Sequence, residues 1–194
     1  MDGGVPRRAP HRFSVTEYHR MAEAGILNED SRVELIRGRI VDMSPIGAPH
    51  LGMVNRLTRL LVGVLTGRAT ISVQNPVRLD DGSEPQPDLA VLRPRADDYA
   101  TSTPRPADVL LLIEVADSSL DDDRGEKVPL YAEHGIAECW IVNIPERNVE
   151  VHREPRNGSY ASFRKVGSDG TLDIAALPGA TFAAAELWGP APAN

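Results

Sequence analysis

A chain of 194 residues with 41% hydrophobic and 25% charged residues is long enough for one sizeable core and has the composition of an ordinary soluble globular protein. Its single cysteine, Cys139, excludes an internal disulfide and any cysteine-built zinc site, which fits a reducing compartment and makes the cytoplasm the default expectation. A formal net charge of −7 argues against a generally sticky nucleic-acid coat, since non-specific binding is carried by Lys and Arg, but leaves room for a local basic groove.

One domain with short tails is expected. No run approaches membrane-spanning length, and Met1-Asp-Gly-Gly-Val-Pro-Arg-Arg8 lacks the apolar stretch of a secretory signal. Ser14-Val-Thr-Glu17 has the form of a capping box, so a helix is expected over residues 15–24, closed by Gly25. Residues 32–36 and 39–43 read as the two arms of a hairpin around Arg37-Gly38. Spacing alone makes Glu34, on the first arm, a solvent-facing strand residue. The Pro- and Gly-containing stretch 44–49 is a loop that delivers the chain to His50. From there Leu51, Val54, Leu57, Leu61, Val64 and Leu65 recur at helical spacing, with Asn55, Arg56 and Arg59 opposite, giving an amphipathic helix that ends near Gly67. A lone histidine in its first turn is most often a capping or surface residue.

Residues 70–74 alternate as a strand, 76–79 continue it raggedly, and 80–83 form a turn. Glu84-Pro-Gln-Pro-Asp88 then gives way to the apolar run Leu89-Ala-Val-Leu92, which stands Asp88 at the mouth of a second short strand. Residues 93–107, rich in Pro, Asp and Thr, read as a surface loop. The stretch around which the chain is organised follows: Val109-Leu-Leu-Leu-Ile-Glu-Val115 reads as a strand buried on both faces, near the middle of a mixed or parallel sheet. Glu114 interrupts it. A carboxylate near the end of such a strand is costly to bury without a metal, a cation or hydrogen-bond donors. Two strands that each carry an acid at one end can converge those acids, and a hard divalent cation favours such oxygen ligands. Eight acidic residues, Glu84, Asp88, Glu114, Asp117, Asp121, Asp122, Asp123 and Glu126, lie in this region, and a bound cation would offset part of their charge.

The polar segment 117–123 offers several caps for a helix expected to run to about His134, with Gly135 as its stop and Lys127 near its start. Proline is accommodated in a first turn but not in an interior, so the helix either begins just before Pro129 or is distorted there. Residues 138–143 read as a strand, 149–152 as its hairpin partner, 160–166 as a further strand, 169–170 as a turn, and the segment from Pro178 as a wrap ending in a loose tail.

Several of these stretches together resemble a known family. Pro87-Asp88, then Glu114-Val-Ala116, then Asp123-Arg-Gly-Glu-Lys127-Val-Pro-Leu-Tyr-Ala132 and Gly135-Ile-Ala-Glu-Cys-Trp-Ile-Val142, with Val33-Glu-Leu-Ile-Arg-Gly-Arg-Ile40 at the front, resemble in order and spacing the Uma-two family of the PD-(D/E)XK nuclease superfamily. The resemblance covers roughly residues 13–188, leaving tails at 1–12 and 189–194. It implies an α/β (α+β) restriction endonuclease-like core, a mixed central β-sheet flanked by helices, with a divalent-metal site at the strand ends. Carried over by position, it makes Asp88 the acid of the PD element and Glu114 that of the (D/E)XK element, both ligands of Mg²⁺ or Mn²⁺, with the backbone carbonyl of Val115 as a further ligand. In the simplest form of the motif a lysine stands two residues after the glutamate, on the same face of the strand, where this chain has Ala116. The family resembles nucleases whose lysine has moved to the next helix, which gives the role to Lys127. Glu34 and His50 match positions often held by the same residue types, which implies Glu34 as a supporting metal ligand and His50 as a group near substrate or behind a ligand.

The activity implied is metal-dependent hydrolysis of phosphodiester bonds in DNA, with double-stranded DNA as the expected partner and Lys127 orienting the water or offsetting charge on the phosphate. Cutting both strands is easily served by two-fold symmetry, so a homodimer is compatible with this reading. Taken singly, Asp88 could cap a turn, Glu114 could pair with an arginine and Lys127 could be solvated; it is the three in this order that favour a site. Two other classes stay open: a nuclease-fold binding or regulatory module without strong catalysis, and a metal hydrolase of a small phosphorylated substrate held in an enclosed pocket. Neither Gly-x-Ser-x-Gly nor His-Glu-x-x-His occurs in the chain.

Overall fold

A computed structural model of the chain describes residues 9–28 and 30–189. Most of the expected N-terminal tail, and the expected C-terminal tail beyond Gly189, lie outside the described residues. Helix α1 (Val15–Glu23) starts through the capping box: Ser14 Oγ accepts from the Glu17 N–H at 3.2 Å while the Glu17 carboxylate accepts from the Ser14 N–H at 2.8 Å. Strands β1 (Val33–Ile36) and β2 (Arg39–Asp42) pair antiparallel across a two-residue turn. Both turn residues have positive φ, 51° at Arg37 and 71° at Gly38, the twist that tight hairpins favour. Helix α2 (Ala48–Leu65) buries Met53, Val54, Leu57, Leu60, Leu61 and Leu65. Leu51, which spacing put on that face, is exposed. At 3.6 residues per turn it falls about 105° from the centre of the buried stripe.

Strands β3 (Thr70–Val73), β4 (Leu89–Leu92) and β5 (Val109–Ala116) follow. The expected single helix after β5 is three pieces: α3 (Leu120–Asp122), a π turn over Asp123–Lys127, and α4 (Val128–Glu133). Both outcomes expected at Pro129 occur in part: α4 begins at Val128, which puts Pro129 in its first turn, and the helical run just before it widens to a π turn, which avoids the clash of the ring with the carbonyl four residues back. Strands β6 (Glu138–Asn143), β7 (Asn148–Arg156) and β8 (Ser159–Val166) complete the main sheet. β7 runs four residues past the alternation seen in the sequence. The segment from Pro178, expected as a wrap, carries β10 (Thr181–Ala183), which pairs with β9 (Thr171–Asp173), and α5 (Ala185–Trp188), which buries Leu187 and Trp188.

The six-stranded sheet has the order β3-β4-β5-β6-β7-β8, with β5 and β6 parallel and every other neighbour antiparallel. Parallel neighbours need a crossover, and the α3–π–α4 segment supplies it. Side chains alternate along β5. Leu111, Ile113 and Val115 enter the core beneath α2, with Leu61, Trp140 and Phe182. Leu112 and Ala116 enter the core beneath α4, with Ile36, Leu130, Tyr131 and Ile141. The mixed sheet flanked by helices is the restriction endonuclease-like architecture expected. No helix among the described residues is long and apolar enough to cross a membrane.

Candidate functional site

Alternation on β5 sends Glu114 to the α4 side, where its side chain is 3% exposed. Its two oxygens have different neighbours. The Tyr131 hydroxyl donates to Oε1 at 2.5 Å, and Lys127 Nζ lies 3.4 Å from Oε2. Lys127 Nζ is also 3.3 Å from Glu34 Oε1, while Glu34 Oε2 accepts from the Gln86 N–H at 3.0 Å. Glu34 is therefore buried, contrary to the solvent-facing position that strand spacing suggested. The β1–β2 hairpin stands apart from the main sheet, and the arm that bears Glu34 is covered by the 83–86 segment, with Leu35 bridged to Glu84.

Asp88 sits one residue before β4. Its Oδ2 accepts from the Val115 N–H at 2.8 Å and lies 3.0 Å from His50 Nε2; its Oδ1 accepts from Gln74 Nε2 at 3.2 Å. What Val115 places on Asp88 is thus its amide. Gln74 reaches Asp88 from the end of β3 in the left-handed region, φ 50°, and its own N–H donates to the Asp88 carbonyl at 3.0 Å. Such a backbone costs roughly 1–3 kcal/mol for a residue other than glycine and persists where its surroundings enforce it.

Asp88, Glu114, Lys127, Glu34, His50 and Val115 all line one cleft of about 200 Å³. Asp117, Asp122, Asp123 and Glu126 from the acidic cluster line it too. Glu84 does not belong to it: its carboxylate pairs with His19 at 2.6 Å. Sequence reasoning missed Tyr131, Gln74 and the Gln86 amide. A signal for Tyr131 existed, because Ser119, Asp123, Lys127 and Tyr131 recur every fourth residue. In a regular α-helix positions four apart drift by about 40° per step. The π turn, with more residues per turn, opposes that drift. Asp123, Lys127 and Tyr131 consequently stay on the side facing Glu114, and Ser119 Oγ donates to Asp123 Oδ2 at 2.8 Å.

Burial pushes the Glu114 carboxyl up to about 8; Lys127 opposes the shift, and Asp123, Asp88 and Glu34 reinforce it. Burial likewise raises Asp123, against the pull of Lys127 and Ser119. Burial alone would lower the Lys127 ammonium, but the carboxylates of Glu114, Glu34, Asp123 and Asp88 hold it well above its ordinary value. The hydrogen bond with Asp88 raises the His50 imidazole against the effect of burial. Burial raises the Tyr131 hydroxyl, with Glu114 and Glu34 adding to the shift, so it remains a donor.

Four carboxylates, those of Glu34, Asp88, Glu114 and Asp123, thus gather around one ammonium. The donors are hard oxygens with surplus negative charge, which suits a hard divalent cation. Among the described residues, no three His, Cys, Asp or Glu side chains form a ready-made metal-ligand group. That is compatible with Mg²⁺, which keeps several waters and commonly takes only one or two protein carboxylates.

The model of the Uma2 family, described as "Putative restriction endonuclease", matches residues 15–185. The fold is similar to a solved structure described as "a putative nuclease belonging to DUF820 from Anabaena variabilis ATCC 29413", with a TM-score of 0.69 at 15% identity, covering 91% of this chain and 97% of that one. At that identity the likeness speaks for the fold. Comparison with curated proteins gave no match.

Proposed function

The chain belongs to the Uma2 family, whose description is "Putative restriction endonuclease", and from that premise we propose that it is a divalent-metal-dependent endonuclease hydrolysing phosphodiester bonds of double-stranded DNA. The observation that carries this reading is the convergence of Asp88, Glu114 and Lys127, from the starts and ends of separate elements, on one cleft. Asp88 and Glu114 would hold Mg²⁺ or Mn²⁺, with the Val115 carbonyl and Glu34 as supporting oxygens. Bound there, the cation supplies Lewis-acid polarisation of the phosphoryl oxygen and lowers the pKa of water in contact with it.

The side chains have distinct tasks in this reading. Asp88 is aimed by three donors, the Val115 amide, His50 and Gln74, so its carboxylate needs little reordering when it takes up a ligand. Lys127 places a fixed positive charge beside Glu114, where it offsets charge growing on the phosphate or orients the attacking water. His50 and Arg32 line the same cleft and add positive character toward an anionic substrate. A cytoplasmic setting and a two-fold pair of chains, one site for each strand, complete the proposal.

A second reading, a binding or regulatory module on the same fold, is favoured by one observation. Lys127 lies close to both Glu34 and Glu114, so part of the site's charge is already matched internally. Cleavage of supercoiled plasmid and single-stranded DNA with Mg²⁺ or Mn²⁺, run beside folded Asp88→Asn and Lys127→Ala, separates the two. Metal-dependent cutting by the wild type that both variants lose supports the nuclease. Inert wild type with either metal, and calorimetric metal binding unaltered by Asp88→Asn, removes the nuclease reading and leaves the module.

A further inference from the structure

We infer that Tyr131 is a positioning residue for Glu114: its buried hydroxyl fixes one carboxylate oxygen so that the other is presented to Lys127 and to the cation. The inference rests on the metal-dependent reading above and deepens it. Three observations carry it. The Tyr131 side chain is fully buried, packed in the core beneath α4. Its hydroxyl donates to Glu114 Oε1 at 2.5 Å, while Lys127 lies on the Oε2 side. A tyrosine hydroxyl in such a core is expensive unless it finds a partner, and phenylalanine would fill nearly the same volume without that cost.

The hydroxyl therefore has a local reason to be there, and the reason is Glu114. A bound cation would hold Glu114 ionised, and hydrogen bonds to an ionised acceptor are shorter and stronger than neutral ones. By engaging Oε1, Tyr131 restricts rotation of the carboxylate about its terminal bond and leaves Oε2 free for the cleft. Because Tyr131 has no exposed surface, it does not touch DNA; any effect on the reaction passes through Glu114. Groups that orient a metal ligand in this way typically contribute 10–100-fold to metal affinity or activity.

The test is Tyr131→Phe, with Mn²⁺ binding followed by calorimetry, folding by thermal unfolding, and cleavage by steady-state kinetics. The expected result is a cooperatively folded variant whose Mn²⁺ affinity falls by about 10–100-fold. Its kcat at fixed, limiting Mn²⁺ should drop while KM for DNA is unchanged. In a Glu114→Gln background, Tyr131→Phe should weaken Mn²⁺ no further, because the two act as a unit; an equal further loss there marks a merely structural role and overturns the inference, as does wild-type Mn²⁺ affinity in Tyr131→Phe. If Tyr131→Phe fails to fold, 3-fluorotyrosine placed at position 131 keeps the packing and alters only the donor; Mn²⁺ affinity unchanged by it overturns the inference as well. A wild type that binds Mn²⁺, loses it on Tyr131→Phe and cuts no DNA leaves the Tyr131 role standing while the nuclease reading falls. Wild-type DNA cleavage that Tyr131→Phe leaves unchanged does the reverse. Absence of any Mn²⁺ binding by the wild type overturns both.

Discussion

His50 Nε2 and Asp88 Oδ2 lie 3.0 Å apart, joining the first turn of α2 to the residue that opens β4. The same oxygen accepts the Val115 N–H, so His50 is one of two groups that fix where it points. His50→Ala should leave the fold cooperative and lower metal affinity and cleavage by about 10–100-fold, the usual range for a group that orients a ligand. Mn²⁺ calorimetry alongside plasmid cleavage checks this. A variant that cuts as well as wild type would show that the Val115 amide and Gln74 suffice to hold Asp88.

Lys127 is the cation that Glu34 and Glu114 share, at 3.3 and 3.4 Å. Removing one partner of a largely buried charge set leaves the others uncompensated, typically at a cost of about 3–5 kcal/mol. Lys127→Ala should therefore lower stability by that order in metal-free buffer as well as abolish cleavage. Urea unfolding measures the loss. Adding Glu34→Gln should recover part of the stability and none of the activity.

Glu114 gives the metal-free protein a defined pH dependence. Burial raises its folded value to about 8, above its ordinary value of 4.5, so across that window the folded state binds a proton that the unfolded state does not. The resulting stability is fully present below the unfolded value and is lost as pH rises through about 8. Denaturation of metal-free protein in steps from about pH 5 to about pH 9 should show this decline, and Glu114→Gln should flatten it. Parallel curves for the two proteins would show that Glu114 is ionised throughout.

Glu138 provides the contrast. It is as buried as Glu114, yet accepts from Trp140 Nε1 at 2.6 Å, Arg153 Nε at 2.9 Å and the Ala175 N–H at 2.8 Å, tying β6 to the segment after β9. Glu138→Ala should cost about 3–5 kcal/mol by stranding the indole and the Ala175 amide and leaving Arg153 with Asp173 as its remaining carboxylate partner. Mn²⁺ affinity of the folded fraction, read by calorimetry, should stay at the wild-type value.

Glu114 and Glu138 also show how far the sequence could be read. Each interrupts or opens an apolar strand, and burial does not distinguish them. Glu114 was separable because Asp88 and Lys127 flank it in a recognisable order, while the partners of Glu138 stand at scattered positions. The strands of the main sheet were legible because β4, β5 and β6 are short, apolar and bounded by polar or proline-rich segments. Glu34 was misread from spacing because alternation predicts sides of a sheet, and its hairpin lies outside the main sheet with its inner arm covered. The Gln74–Asp88 contact was hidden for another reason: it depends on a left-handed residue at a strand end, which no sequence pattern at Gln74 announces. Pro129 marked the irregular helix correctly, although not that a π turn would bring Asp123, Lys127 and Tyr131 to one side.

The parallel β5–β6 pair has a consequence for how the molecule acquires its site. Glu34 comes from the early hairpin, Asp88 from the approach to β4, Glu114 from β5, and Lys127 from the crossover that must close before β6 can align. Pairings so distant along the chain form only after their loop-closure entropy has been met, which slows folding and leaves no local fragment holding the set. The metal ion proposed above, if it recognises only the assembled arrangement, would act as a selective ligand for the native state. At a concentration one hundred times its Kd it would deepen that state by about 2.7 kcal/mol, and partly folded chains would gain nothing.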